Sequence, residues 1–165
     1  MDSIIKYIFI FVLSLIPTIE VRGSIPMTFI LFRNSYEASI ALVIAIVSNL
    51  IIAPILFLVL DWFNDMIMSS KRFPSLLRNI YLSVLRYARS KGSRINRYSL
   101  VGLMLFVAIP LPGTGAWTGS IVAYVFGFDK KRSIIAIELG VVVASLIVLS
   151  ATVLGIEILR RIFML

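Results

Sequence analysis

Apolar residues run along this chain in blocks of two lengths. Ala38 to Leu60 carries no charge, and Ser133 to Leu159 is similarly long, with Glu138 near its start and Glu157 near its end. A bilayer crossing takes about 20 apolar residues, so each block predicts a transmembrane helix. Four shorter blocks, Ile4 to Ile16, Ile25 to Phe32, Leu100 to Leu111 and Ala116 to Phe128, cannot cross alone. They fall in pairs, and helix breakers divide each pair: Pro17 with Gly23-Ser24-Ile25-Pro26 in the first, Pro110-Leu111-Pro112-Gly113-Thr114-Gly115 in the second. A hairpin that enters and leaves the membrane on one side fits both the lengths and the breakers. Broken backbone at membrane depth is tolerated only where protein or a water-filled cavity covers it, so the breaks are expected to line a site.

The two halves read as one unit used twice: half-helix, break, half-helix, short charged turn, long span. The expected fold is all-α and integral to the membrane, with one membrane domain over 1–165. Repeat 1 covers 1–60, a connector covers 61–98, and repeat 2 covers 99–165. One span separates the hairpins, so they enter from opposite faces and the repeat is inverted. In the connector, Phe73, Leu76, Leu77, Ile80, Tyr81, Val84, Leu85 and Ala88 follow helical spacing, with Arg78, Asn79, Ser83 and Arg86 on the other face. That pattern predicts an amphipathic helix lying on the cytoplasmic leaflet.

Composition agrees: 60% of the 165 residues are hydrophobic. A net charge of +8 is compatible with a nucleic-acid partner, but its placement argues against one. Eight of the sixteen basic residues lie between Lys71 and Arg97, in a single inter-span segment. Adding Lys130, Lys131 and Arg132 gives one face eleven positive residues, which the positive-inside rule assigns to the cytoplasm, with the plasma membrane as the expected location. The chain has neither cysteine nor histidine, which excludes disulfides, the usual zinc sites and imidazole or thiol catalysis. Ser24, Ser48, Thr114 and Ser120 therefore have no histidine to activate them, and the chain does not read as an enzyme. No cofactor or metal site is expected.

Two motifs carry candidate chemistry. In Glu20-x-Arg22-Gly23-x-x-Pro26, a carboxylate and a guanidinium at membrane depth cost at least a few kcal/mol each unless they are paired, hydrated or functional. The functional reading makes Glu20 a proton-linked switch and Arg22 the fork that holds an anionic substrate group. The structural reading makes them an ion pair that fixes the hairpin. In the second motif, Pro110 and Pro112 stop one half-helix, and Gly113 and Gly115 permit close backbone approach. The free amides of the next half-helix, with the Thr114 and Thr118 hydroxyls, can then bind an anion, and Trp117 can contact substrate; the structural reading, of equal weight, is a tight turn packed against the first hairpin. Asn49, in the first span, is a further polar candidate for the pathway, although hydrogen bonding between helices is its commoner role.

Glu20-Val-Arg-Gly-Ser-Ile-Pro26 and Pro110-Leu-Pro-Gly-Thr-Gly-Ala-Trp-Thr-Gly119 resemble the paired motifs of the small multidrug export proteins, a family similar in architecture to the DedA superfamily. The resemblance implies two facing re-entrant hairpins that meet near the midplane, a homodimer, and transport coupled to proton or ion gradients. DedA proteins generally place arginines in the second hairpin region, whereas this chain has none between Leu100 and Phe128. Phosphate recognition through such arginines therefore does not carry over. The expected function is a small secondary transporter or lipid-like translocase, acting on a small molecule, an ion or a lipid phosphate among membrane lipids. The alternative is a membrane-organising or regulatory protein whose basic segment binds anionic lipids.

Overall fold

The computed structural model describes residues 3–69, 75–92 and 97–163. All the regular structure among them is helical: α1 (Ser3–Leu15), α2 (Glu20–Leu31), α3 (Ser35–Leu50), α4 (Ile52–Ser69), α5 (Ser75–Gly92), α6 (Arg97–Ala108), α7 (Ala116–Phe126) and α8 (Lys130–Phe163). The order short helix, break, short helix, long helix occurs twice, with α5 between the two sets.

In the first set the chain reverses at Pro17. Tyr7 of α1 stacks on Phe32 just beyond α2, with ring centroids 4.8 Å apart, while at the other end the Ser14 and Ser24 hydroxyls lie 3.0 Å apart. α1 and α2 both pack on α3, and α6 and α7 both pack on α8. The sets are joined mainly between α2 and α8 and between α4 and α7, with smaller contacts of α3 and α4 on α8.

The first long span is jointed. Pro54 has no N–H to give the Leu50 carbonyl, and its ring presses on that carbonyl, so the helical ladder fails one turn earlier. Ile51 sits at the joint, its N–H donating to Val47 O and its carbonyl accepting from Ile55 N, both at 3.2 Å. The helix also does not stop at Leu60. α4 continues through Asp61 and Asp65 to Ser69, because Asp65 is exposed and Lys130 donates to Asp61 at 2.7 Å. Asp61 is thus a paired, half-exposed group. Together α3 and α4 form a 35-residue apolar stretch, and Lys130–Ile158 is the second stretch long and apolar enough to cross a membrane.

The inside is rich in alanine and in small polar residues beside its larger apolar ones, and the outside is large and apolar. Ala38, Ala41 and Ala45 line the buried face of α3, and Ala136, Ala144 and Val141 that of α8. A Cβ on Gly140 would lie 2.7 Å from Met104 O, so α6 and α8 meet backbone to backbone. Meanwhile Ile4, Ile8, Leu58, Leu139, Leu146 and Leu154 point outward and are largely exposed. A water-soluble protein rarely presents so much contiguous apolar surface, but a protein surrounded by lipid does.

Charge separates toward the two ends. Asp61, Arg89 and Lys130 line one cavity at the α4–α5–α8 end, while Arg33 and Glu157 line another at the opposite end of α8. α5 is amphipathic, as its spacing predicts, but its apolar residues divide between two surroundings. Leu85 and Ala88 are buried against the protein, whereas Leu76, Ile80 and Val84 face outward. Phe73 lies outside the described residues. Burial pushes the Tyr81 phenol above its ordinary range, so it remains a donor, to Asn64 Oδ1 at 3.2 Å.

Candidate functional site

The two breaks meet, and each completes the polar groups that the other leaves open. A helix that stops inside an apolar protein strands its last carbonyls, and one that starts there strands its first amides. α1 stops before Pro17. Its Ser14 carbonyl accepts from Asn49 Nδ2 at 3.0 Å, and its Leu15 carbonyl accepts from Trp117 Nε1 at 3.1 Å. α7 starts at Gly115 with no side-chain cap of its own. The Glu20 carboxylate supplies one from the opposite hairpin: Trp117 N donates to Glu20 Oε1 at 3.4 Å, and the Ala116 amide also faces the carboxylate.

Local backbone aims Glu20 there. Thr18 and Glu20 both adopt left-handed φ, 75° and 48°. For a β-branched threonine this is an outlier, costing of order 1–3 kcal/mol, and such strain gathers where the surroundings over-determine a residue. Glu20 is 2% exposed. Gly115 is the complement, since any Cβ there would fall on the Glu20 carboxylate. Gly113, at φ 86°, turns the loop that brings Gly115 into place.

Arg22 lies beside the carboxylate, its Nη2 3.9 Å from Glu20 Oε2, with the side chain 12% exposed. The same nitrogen donates to Thr114 Oγ1 at 3.1 Å, and that hydroxyl spends its own proton on the Ile109 or Leu111 carbonyl. Arg22 Nε and Nη1 are buried and meet no acceptor among the described residues. Pro26, inside α2, leaves the Arg22 carbonyl without its helical donor.

Of the sequence candidates, Glu20, Arg22, Thr114, Gly115 and Trp117 come together here. Pro110, Pro112 and Gly113 shape the loop, and Gly23 lets α2 start close against Ile19. No hydrogen bond or ion pair joins Asn49, Pro26 or Thr118 to Glu20 or Arg22 among the described residues. Asn49 is fully buried one step away, with its Oδ1 unpaired. Sequence reasoning missed Ser14 and Thr28, and weighed Ser24 only as a helix breaker and a nucleophile. Ser14 Oγ donates to Ala45 O at 2.6 Å, while Ser24 and Thr28 each bond the carbonyl four residues earlier, at 2.9 Å. Their signal was their place beside the break, in a stretch otherwise apolar.

Trp117→Phe tests the mutual completion. It removes the only donor that the described residues offer to Leu15 O while keeping an aromatic ring. A buried carbonyl left unmade costs about 1–3 kcal/mol, so the variant should unfold more readily in detergent by that amount. A melting midpoint equal to that of the parent protein would show that this bond is not needed.

No curated protein and no solved structure matches the chain. Residues 20–147, from the capping carboxylate of the first hairpin through most of α8, match the family described as "Putative small multi-drug export protein", and the chain belongs to that family.

Proposed function

We propose that the chain is a small secondary transporter, not an enzyme, whose substrate site is the junction of the two breaks. The observation that carries this reading is Arg22: a guanidinium inside the protein, loosely paired to Glu20, with two buried donors unmatched. A purely structural ion pair would be expected to satisfy those donors, because each buried unmatched one costs about 1–3 kcal/mol. A substrate bearing oxyanion or carbonyl acceptors would match them, and the planar fork suits it. Glu20 is the carboxylate placed to exchange a proton when the junction opens and closes. The two tips meeting at the junction support hairpins that enter from opposite membrane faces, which is the inverted arrangement, with α5 at the cytoplasmic side and the chain crossing the plasma membrane more than once. Two long helices enclose little volume, so the working unit is taken to be a homodimer.

The test is flux in proteoliposomes across three substrate classes, lipophilic cations, inorganic anions and polyprenyl phosphates, with and without a pH gradient. At least one class should move faster than in empty vesicles, and faster still with the gradient. Flux equal to that of empty vesicles for every class would end the transport reading. For the class that moves, Arg22→Lys keeps the charge but loses the fork. Its KM should rise about tenfold, the loss of roughly one charge-assisted bond, while the protein still assembles.

The outward apolar residues of α5 favour a second reading, in which the chain organises lipid and does not transport. In that case Glu20 substitution would change nothing, whereas loss of the basic residues of the connector would.

A further inference from the structure

Where α4, α5, α7 and α8 converge, a cavity of about 370 Å³ opens, sharing no residue with the Glu20–Arg22 junction. Its size lies within the roughly 300–1,000 Å³ of ordinary ligand pockets. Two cations line it from separate elements, Arg89 on α5 and Lys130 at the start of α8, against one carboxylate, Asp61. Lys130 is paired with Asp61 at 2.7 Å, so one positive charge is in excess. Arg89 supplies it, for Arg89 forms no ion pair among the described residues. The walls are aromatic: Phe57 and Tyr124 have ring centroids 6.2 Å apart, and Phe126 and Phe128 6.4 Å.

The α7–α8 turn is shaped around Arg89. Gly127 holds φ 72°, and a Cβ there would come to 3.0 Å from Arg89 Cγ, so the arginine stem lies close against the turn. Beside this cavity, Leu58 and Trp62 of α4, within a turn of Asp61, are exposed, and Phe126 of α7 is partly so. A polar pocket with one excess positive charge, set among exposed apolar side chains, matches a molecule that is singly anionic at one end and apolar at the other.

We propose that this cavity binds the phosphate headgroup of a singly anionic phospholipid, held by Arg89 and Lys130, with its acyl chains along the outward apolar residues of α4 and α7. A zwitterionic headgroup would leave the excess charge unmatched, and a free phosphate would leave the apolar surroundings unused. The proposal rests on the chain's lying in a membrane and not on transport, so its failure would leave the junction reading untouched.

The test is a titration of the full chain in neutral detergent micelles with phosphatidylglycerol, phosphatidylcholine or inorganic phosphate, read as bound lipid by native mass spectrometry and as the shift of the melting midpoint. Phosphatidylglycerol should bind and raise the midpoint, while the other two should not. Arg89→Gln should weaken phosphatidylglycerol binding at least tenfold. Arg86→Gln, on the same helix but outside the cavity, should weaken it less than threefold. Asp61→Asn should tighten binding by releasing Lys130. Equal loss in the two arginine variants would reduce the effect to general surface charge and overturn the site. So would undiminished binding in Arg89→Gln, weaker binding in Asp61→Asn, or an Arg89-dependent shift with inorganic phosphate alone.

Discussion

Proteoliposomes carrying Glu20→Gln should lose pH-dependent flux by at least tenfold while the protein still folds and assembles. The glutamine carbonyl can continue to accept from Trp117 N, so the cap on α7 survives in form. What disappears is the charge, and with it both the attraction to Arg22 at 3.9 Å and any exchange of a proton. Arg22 keeps Thr114 as an acceptor, so the cost to stability should be about 1–3 kcal/mol, below the full penalty of stranding a buried ion. Glu20→Asp withdraws the carboxylate by one methylene and should retain part of the flux with a displaced pH profile. Flux measured between pH 5.5 and 8 in both variants decides the matter. A well-folded Glu20→Gln protein with the parent's pH profile would reduce Glu20 to a cap.

Gly115→Ala should be the most disruptive single-methyl change in the chain. Its Cβ would occupy the space of the Glu20 carboxylate, which is buried, strained in its backbone, and cannot swing into water. Overpacking of a tight interior costs about 1–3 kcal/mol, and here loss of the α7 cap adds about another 1 kcal/mol. The protein should therefore express poorly and melt well below the parent. Shortening the opposing side chain should give part of this back, so Glu20→Ser combined with Gly115→Ala should be more stable than the sum of the separate losses predicts. Strict additivity in this double-mutant cycle would show that the two residues do not meet.

The break at Pro17 and the loop from Pro110 to Gly115 were legible because each is written in local chemistry, whereas Gly23-Ser24-Ile25-Pro26, read as part of the first break, lies inside α2, which starts at Glu20 because Pro26 takes only one carbonyl's donor from it. α5 was legible from its spacing, although not how its apolar residues divide between protein and surroundings. The joint at Ile51 was present in Pro54, but a proline in a long apolar run can also pass as a surface irregularity. The extension of α4 to Ser69 was hidden because Asp61 and Asp65 look like an ending until Lys130, far along the chain, is seen to neutralise Asp61. The same applies to Trp117 and Gly115. Nothing near them in the sequence asks for an indole donor or forbids a methyl, since the groups that do, Leu15 O and the Glu20 carboxylate, belong to the other half.

The mutual capping of the hairpins also sets an order of events at synthesis. Glu20 and Leu15 leave the ribosome 97 and 102 positions before the Trp117 groups that will satisfy them. At about 5–20 residues per second, the first hairpin waits roughly 5–20 seconds with a carboxylate and a bare carbonyl in an apolar setting. Lipid cannot satisfy them in that interval. Until α7 has been made, Arg22 is, among the described residues, the only charged partner at hand for the carboxylate, and the end of α1 reaches its final polar pairing only with the second half of the chain.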